Sequence, residues 1–205
     1  MDWKKRILRT AATLFAFAAF AALSPSPVPK TTEAPAYAPD GQLVFPVDYR
    51  EWVFLGAGLD MSYSKGASAA THSVFNTVFV NPSAYAQFKQ TGHWPQGTEI
   101  VLENSGVVSD ASINKRGKTM SGELMGVEVH VLDSKHNEGG WGFYSFDNPV
   151  SAKLIAATAD CYSCHQQHGA VDTTFVQFYP SLLGVARAKH TLAPEYLKAE
   201  ALDTK

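Results

Sequence analysis

Residues 120–133 read Met-Ser-Gly-Glu-Leu-Met-Gly-Val-Glu-Val-His-Val-Leu-Asp, and their alternation is typical of a β-strand with two different faces. Side chains of a strand point alternately to opposite faces of its sheet. One face therefore carries Leu124, Gly126, Glu128 and His130, and the other carries Met125, Val127, Val129 and Val131. The sequence thus predicts a strand here, and with it a domain built on a β-sheet.

Three further segments predict strands. Residues 71–80, 97–108 and 139–146 are rich in β-branched and aromatic side chains and are bounded by glycine, asparagine or proline. The last of them is entered through a glycine turn. Because these strands follow one another along the chain, we expect an antiparallel sheet.

Helices are predicted mainly after the strands. A short helix is expected to be capped by Asn81, to carry Pro82 in its first turn and to stop at Gly92. Residues 151–160 and 174–188 also predict helices, although Pro180 must break or kink the second. Strands first and helices last is an α+β pattern: an antiparallel β-sheet-rich domain with a few helices.

The N-terminal segment has the layout of a secretory signal peptide. Four basic residues lie within residues 4–9, an apolar run covers 11–23, and Ala-Phe-Ala at 19–21 suits cleavage. The run is shorter than the ~20 residues that cross a bilayer, although an uncleaved anchor remains the alternative. We predict a signal peptide at 1–21 and a periplasmic protein.

The remaining chain divides by composition. Five prolines lie within residues 24–40, so residues 22–40 predict an extended linker. The folded domain is expected at 41–190, followed by a tail at 191–205. A formal net charge of -2 leaves no basic field for nucleic acid, and two cysteines cannot form a disulfide scaffold.

Both cysteines lie in one motif, Cys-Tyr-Ser-Cys-His at residues 161–165. This spacing is the attachment signal for a c-type haem. The thiols of Cys161 and Cys164 add to the haem vinyl groups, and His165 can then bind the iron. A thioredoxin-like motif, a zinc site using His168 and a plain disulfide are the alternatives. Each is less suitable, because the motif follows a predicted helix late in the chain, no fourth zinc ligand is evident, and a disulfide leaves His165 unexplained.

The second axial position of that iron has no evident ligand in the sequence. Small electron-transfer cytochromes c carry a methionine ligand well after the motif. Here the methionines are Met1, Met61, Met120 and Met125, all before it. A simple electron carrier is therefore the third choice among the functions considered.

A late haem motif on a β-rich body resembles the cytochrome P-460 and cytochrome c′-beta family. The resemblance covers roughly residues 45–186. The segments that carry it are Tyr49-Arg50-Glu51-Trp52-Val53, Phe79-Val80-Asn81-Pro82, Phe88-Lys89-Gln90-Thr91-Gly92, Pro95-Gln96-Gly97-Thr98, Gly122-Glu123, Asp133-Ser134-Lys135, Gly140-Trp141-Gly142-Phe143, the haem motif and Gln177-Phe178-Tyr179-Pro180-Ser181-Leu182. It implies a homodimeric periplasmic protein with one covalent haem c per chain and His165 as the only protein ligand to iron.

The resemblance also implies a choice between two functions. Cytochromes P-460 carry an extra bond from a lysine to the haem ring and oxidise hydroxylamine. The c′-beta members lack this bond, have an aromatic-walled pocket and bind nitric oxide or carbon monoxide. Lys89 is the candidate for the bond; alternatively it is a solvated lysine at a helix end. Residues 100–104 contain no lysine.

Other pocket residues are hypotheses of the same kind. Hydroxylamine oxidation needs a proton acceptor, for which Glu103, Glu123 and Glu128 on predicted strands are candidates. Phe79, with Phe75 and Phe88, is a candidate apolar cap over the haem, and Arg50 is a candidate partner of a haem propionate. The alternatives are solvent-facing carboxylates, ordinary core aromatics and an exposed arginine. The expected function is hydroxylamine oxidation or nitric oxide chemistry, with a cytochrome as possible redox partner; the alternative is a non-enzymatic gas binder.

Overall fold

The computed structural model describes residues 34–62 and 73–203. The predicted signal peptide and most of the predicted linker lie outside the described residues. Within the described part, no helix is long and apolar enough to cross a membrane. The elements are β1 (Leu43–Val44), β2 (Val53–Leu59), β3 (Val74–Val80), α1 (Pro82–Thr91), β4 (Thr98–Ser109), β5 (Lys118–Leu132), β6 (Trp141–Phe146), β7 (Ser151–Ala152), α2 (Asp160–His168), α3 (Pro180–Lys189) and α4 (Pro194–Asp203), with 3-10 turns at Tyr49–Glu51 and Val176–Phe178.

The main sheet is a five-stranded antiparallel meander in the order β2-β3-β4-β5-β6. A second sheet of two short strands pairs β1 with β7. The helices lie between and after these strands, so the predicted α+β, sheet-rich fold is confirmed.

The main sheet has two buried faces. The valine face carries Val101, Val127, Val129 and Val131, which pack with Tyr144 and the β1–β7 sheet. The helix face carries Leu55, Val80 and Ile100, which pack against Phe88 of α1 and Leu182 of α3. Because side chains alternate along a strand, each strand of the main sheet contributes residues to both faces.

A register shift interrupts the predicted alternation of β5. Asn104 pairs with Gly126 but Ser105 pairs with Leu124, so Met125 is skipped. Met125 is exposed, whereas Val127, Val129 and Val131 are buried. Beyond this bulge, β4 and β5 continue as a hairpin arm, defined here as residues 105–125. A bulge adds local twist and bends the strand. Beyond Gly106 of β4 and before Val127 of β5, the two strands pair only with each other among the described residues.

Helix α1 has the predicted bounds, but the side-chain cap predicted at its N-terminus is replaced by other hydrogen bonds. It ends at Gly92, whose φ of 80° is left-handed and whose N–H donates to the Phe88 carbonyl at 2.7 Å. The Asn81 side chain does not cap it. Instead, Asn81 donates to the Gly97 carbonyl and accepts from the Glu99 N–H, both at 3.0 Å. This amide therefore ties the start of the helix to β4.

The two later helix predictions have different outcomes. Residues 151–159 do not form a helix: Ser151–Ala152 form β7, Leu154 bridges to Tyr144 at the edge of the sheet, and a turn leads into α2 at Asp160. Helix α3 begins at Pro180, so the proline stands in the first turn, where a missing N–H costs nothing. Residues 174–188 are therefore a 3-10 turn followed by a helix.

The packed structure includes residues on both sides of 41–190. Tyr37, within the predicted linker, bridges to Leu43, and its ring stacks on His136 with 3.8 Å between centroids. Residues 194–203, within the predicted tail, form α4. Tyr196 of α4 packs against the core on the helix face.

Glu99 is an ionisable group buried within the sheet. Its side chain lies on the valine face of β4 and is 2% exposed. Burial, with the nearby carboxylate of Asp48, raises the pKa of Glu99 from 4.5 to about 8. At neutral pH the folded protein therefore holds a proton that the unfolded chain releases.

Replacing Glu99 by glutamine should remove a pH dependence of stability. Between pH 4.5 and about 8 the native state binds the extra proton, so its stability falls as pH rises, by at most about 1.4 kcal/mol per pH unit. Urea unfolding of wild type followed by circular dichroism should show this loss, and Glu99→Gln should flatten it. Glu123→Gln, on the exposed part of β5, is the control; equal slopes in all three proteins would contradict the assignment.

Candidate haem-binding site

An open cavity lies on the helix face of the main sheet. Its floor contains the row Gly56, Val78, Leu102 and Glu128, one residue from each of β2 to β5. Its opposite wall is formed by side chains from the segment between α2 and α3 and by His165. The cavity therefore lies between the sheet and the part of the chain that carries the haem motif.

Helix α2 carries that motif at the edge of the sheet next to β6. Cys161 and Cys164 are spaced i, i+3, so their thiols share one side of the helix. Both are partly buried and neither is in a disulfide. Burial is the main cause that raises the pKa of the Cys161 thiol. The tyrosine between them, Tyr162, packs edge-on against Phe143 and donates to the Ile155 carbonyl, which holds α2 against β6.

His165 lines the cavity, and a hydrogen bond fixes which of its two ring nitrogens carries the proton. Its Nδ1 lies 2.8 Å from the carbonyl oxygen of Thr173. Because a carbonyl can only accept, Nδ1 carries the proton and Nε2 keeps a free lone pair. Burial also lowers the pKa of His165, which favours the neutral imidazole. A neutral ring with a free Nε2 and a hydrogen-bonded Nδ1 is the usual state of a metal-binding histidine.

The loop that carries the Thr173 carbonyl depends on close packing between the backbones of Gly169 and Thr173. A Cβ at Gly169 would collide with the backbone of Thr173. Thr173 itself has a left-handed φ of 59°. Glycine at the end of α2 therefore allows the chain to turn back and present the Thr173 carbonyl to His165.

A second histidine, His130 of β5, is the site residue that sequence reasoning missed. Its ring stacks on Phe143 at 3.9 Å, tilts over Trp141 at 4.2 Å and meets the His165 ring edge-on at 4.9 Å. Burial lowers the pKa of His130 well below 6.5, so it is neutral. Its buried Nε2 has no hydrogen-bond partner in the described residues. The sequence did contain a signal for this residue. His130 lies on the face of the predicted strand that mixes polar and apolar residues, and no other role accounted for it.

Glu128 brings a carboxylate to the cavity. It lies two residues before His130 on the same face of β5 and lines the floor. Its side chain is exposed toward the opening, yet the surrounding protein raises the pKa of the carboxyl group through desolvation. Among the described residues that line the cavity, Glu128 is the one acidic side chain.

Three predicted site residues lie on the other face of the sheet. Glu103 pairs with Val127, so it points into the valine face, where it accepts hydrogen bonds from Tyr49 and from Arg50 Nε at 2.8 Å. Phe79 packs edge-on against Tyr49 at 5.8 Å. The structure therefore places Glu103, Arg50 and Phe79 in one cluster on the face opposite the cavity.

Two further predicted residues lie at the surface. Glu123 is exposed on the hairpin arm. Lys89 is exposed on α1, because the buried side of that helix is occupied by Ala84 and Phe88. The Lys89 ammonium lies 4.8 Å from the Tyr85 ring centroid, a cation–π contact. The structure does not bring either residue to the cavity.

The candidate cap residues Phe75, Phe79 and Phe88 are not among the residues that line the cavity. Phe88 is fully buried against Trp94, with centroids 4.3 Å apart, and Phe75 shares the valine face with Phe79. The cavity is instead lined by Phe143 of β6 and by three residues after the haem motif, Phe175, Phe178 and Tyr179. The last three lie on or next to the 3-10 turn Val176–Phe178. Neither a helical nor a strand period therefore marked them in the sequence.

These residues fit a haem. Two free thiols spaced for the vinyl groups lie beside a neutral imidazole with a free Nε2. The adjoining cavity is lined mostly by apolar and aromatic side chains, and its buried His130 Nε2 has no partner in the described chain. Cys161 and Cys164 would hold the porphyrin, and His165 would bind the iron.

A cavity lined in this way beside a Cys-x-x-Cys-His motif is typical of haem proteins. The family model for cytochrome P460 matches residues 46–176, more than half of the chain, including the whole haem motif. The chain therefore belongs to the cytochrome P460 family, and the resemblance noted from the sequence is confirmed. Haem is the cofactor that this family implies. No curated protein matches the chain significantly.

Removing both thiols should abolish covalent attachment. For Cys161→Ser/Cys164→Ser we expect no haem-stained band on a denaturing gel, because serine hydroxyls do not form the thioether bonds. Ser163→Ala, at the exposed position between the cysteines, is the matched control and should keep the band. Complete extraction of haem from wild type into acidified organic solvent would contradict covalent attachment.

Proposed function

We propose that this protein is an exported periplasmic haem protein with one covalent haem c, bound by His165, whose sixth iron position is open to nitric oxide or carbon monoxide. The observation that carries the proposal is the Thr173–His165 hydrogen bond beside an apolar cavity. It presents one imidazole nitrogen to the cavity. A haem bound there supplies an iron that takes up a small ligand or exchanges electrons.

Among the described residues, the positions of two other possible ligands, His130 and Met61, support an open position. His130 contacts His165 edge-on with 4.9 Å between ring centroids, so a planar macrocycle cannot lie between the two rings. Met61 also lines the cavity, but it folds over Gly58, whereas His165 contacts the β5–β6 side. His130 is therefore not arranged to face His165 across an iron atom, and Met61 lies over a different part of the sheet from the one that His165 contacts.

The composition of the cavity favours ligand binding over hydroxylamine oxidation. Its floor presents Val78, Ile100 and Leu102, which exclude water without offering a charge. Among the described residues that line it there is no lysine, and Lys89 lies on the outer side of α1. Without a lysine bond to the ring, the family resemblance implies the gas-binding c′-beta type.

Glu128 supports hydroxylamine oxidation as the second candidate function. Its carboxyl lies in the cavity, and its raised pKa makes the carboxylate a better proton acceptor than an ordinary glutamate. Oxidation of hydroxylamine releases protons together with electrons. In this function Glu128 receives a proton, and a cytochrome partner accepts the electrons.

A homodimer is part of the proposal, as the resemblance implies. The hairpin arm exposes Val108, Ile113, Met120 and Leu124, and Ile113 is 93% exposed. Single exposed apolar residues are common on monomers, but several on one projecting arm are typical of a contact surface. We therefore propose the hairpin arm as the surface through which two copies associate.

Spectroscopy of the purified protein tests the primary proposal. The ferrous protein should show an ordinary high-spin c-type spectrum and should bind carbon monoxide, because the iron lacks a second protein ligand. Tryptic mass spectrometry should recover the segment around Lys89 unmodified and in full yield, and Lys89→Arg should leave the spectrum unchanged. A low-spin spectrum indifferent to carbon monoxide would refute the open position.

Hydroxylamine turnover tests the second candidate. If wild type oxidises hydroxylamine with an artificial electron acceptor, Glu128→Gln should lower kcat by about 100-fold or more, because glutamine cannot accept the proton. Glu123→Gln, exposed on the same strand, should retain the wild-type rate. Absence of turnover in wild type would eliminate this function and leave the gas binder.

A further inference from the structure

The register of the sheet gives the cavity two ends. At one end, His130 pairs with Ile100, which in turn pairs with Val80. Four residues along the strands, Gly126 pairs with Asn104, Asn104 with Asn76, and Asn76 with Gly58. At about 3.4 Å per residue these rows are roughly 13 Å apart. His165 contacts His130, so it occupies the first end.

Met61 occupies the second end. Its side chain lines the cavity and folds back over Gly58, where an added Cβ would overlap the Met61 sulfur. The missing Cβ at position 58 therefore provides the space that the thioether fills. Met61 is 40% exposed, so it lies at the opening rather than in the floor.

A hydrogen-bonded turn holds Met61 in this position. Asp60 adopts a left-handed φ of 54°, which reverses the chain at the end of β2. Its N–H donates to the Val74 carbonyl at 3.0 Å, and its carboxylate accepts from the Val74 N–H at 2.8 Å and from the Ser73 hydroxyl at 3.0 Å. The turn is thus fixed to β3, and Met61 follows directly from it.

We propose that Met61 covers the end of the cavity opposite His165 and sets the size of the ligand that can reach the iron. The inference rests on the open sixth position of the proposed function. A thioether is apolar, flexible and without a charge. It yields to diatomic ligands such as nitric oxide and carbon monoxide, and it hinders bulkier or strongly hydrated molecules.

Ligands of graded size on the ferrous haem protein test this role. The measured quantity is the ratio of association rate constants for tert-butyl isocyanide and carbon monoxide. Met61→Ala should raise this ratio about tenfold, because the side chain that excludes the bulky ligand is shortened. Met61→Leu, of similar volume, should keep the ratio within about twofold of wild type.

Gly58→Ala provides an independent second variant. Among the atoms nearest to it, the new Cβ meets only side-chain atoms of Met61, and the close ones are the sulfur and Cγ. The thioether is therefore expected to move away while the backbone stays in place, and the ratio should rise in the same direction as for Met61→Ala. Haem content of every variant is checked by the pyridine haemochrome spectrum.

Three results would overturn the proposal. An unchanged ratio in Met61→Ala would show that the residue does not limit access. A shift from low-spin to high-spin iron in both Met61→Ala and Met61→Leu would identify Met61 as an iron ligand instead of a cover. Failure of wild type and all variants to bind carbon monoxide would refute the open position itself, which separates that failure from the first.

Discussion

The antiparallel register of β3, β4 and β5 is the constraint on which the site depends. It pairs Leu102 with Val78 and Glu128, and it directs all three to the helix face. The next residue of β4, Glu103, is directed to the valine face by the same register. A shift of one residue would exchange these sets and bring a buried carboxylate cluster into the cavity. The sheet therefore separates the cavity on the helix face from the Glu103 cluster, which is embedded in the hydrophobic core of the valine face.

The pKa of Glu103 and the pKa values of the cavity histidines are set by different surroundings. On the valine face, Glu103 keeps its charge because Tyr49, Arg50 and Ser105 donate hydrogen bonds to it, and these lower its pKa despite burial. In the cavity, His130 and His165 have lowered pKa values because burial there is not compensated by charged partners. Neutral imidazoles suit an iron ligand and its neighbour, since a protonated His165 could not bind metal.

The tautomer of His165, which decides whether its Nε2 can bind a metal, is set by the chain segment just after the haem motif. The Thr173 carbonyl is positioned by the tight turn after α2, which requires Gly169, and it fixes which nitrogen faces the cavity. Phe143 and His130 then support the ring from the sheet side. His165, the proposed iron ligand, is therefore oriented by both the haem-motif segment and the β-sheet, although only the motif itself is contiguous in sequence.

The sequence by itself determined the features that depend on near neighbours. Alternation predicted β5, Asn-Pro and glycine bounded α1, and the spacing of Cys161, Cys164 and His165 identified the haem motif. Only the tertiary structure decided which face of each strand meets that motif. Period-2 alternation separates two faces but does not say which one covers the site, so the sequence did not distinguish Glu103, Glu123 and Glu128 as candidates and gave His130 no role. The position of Met61 likewise depends on packing across a turn, which no local pattern encodes.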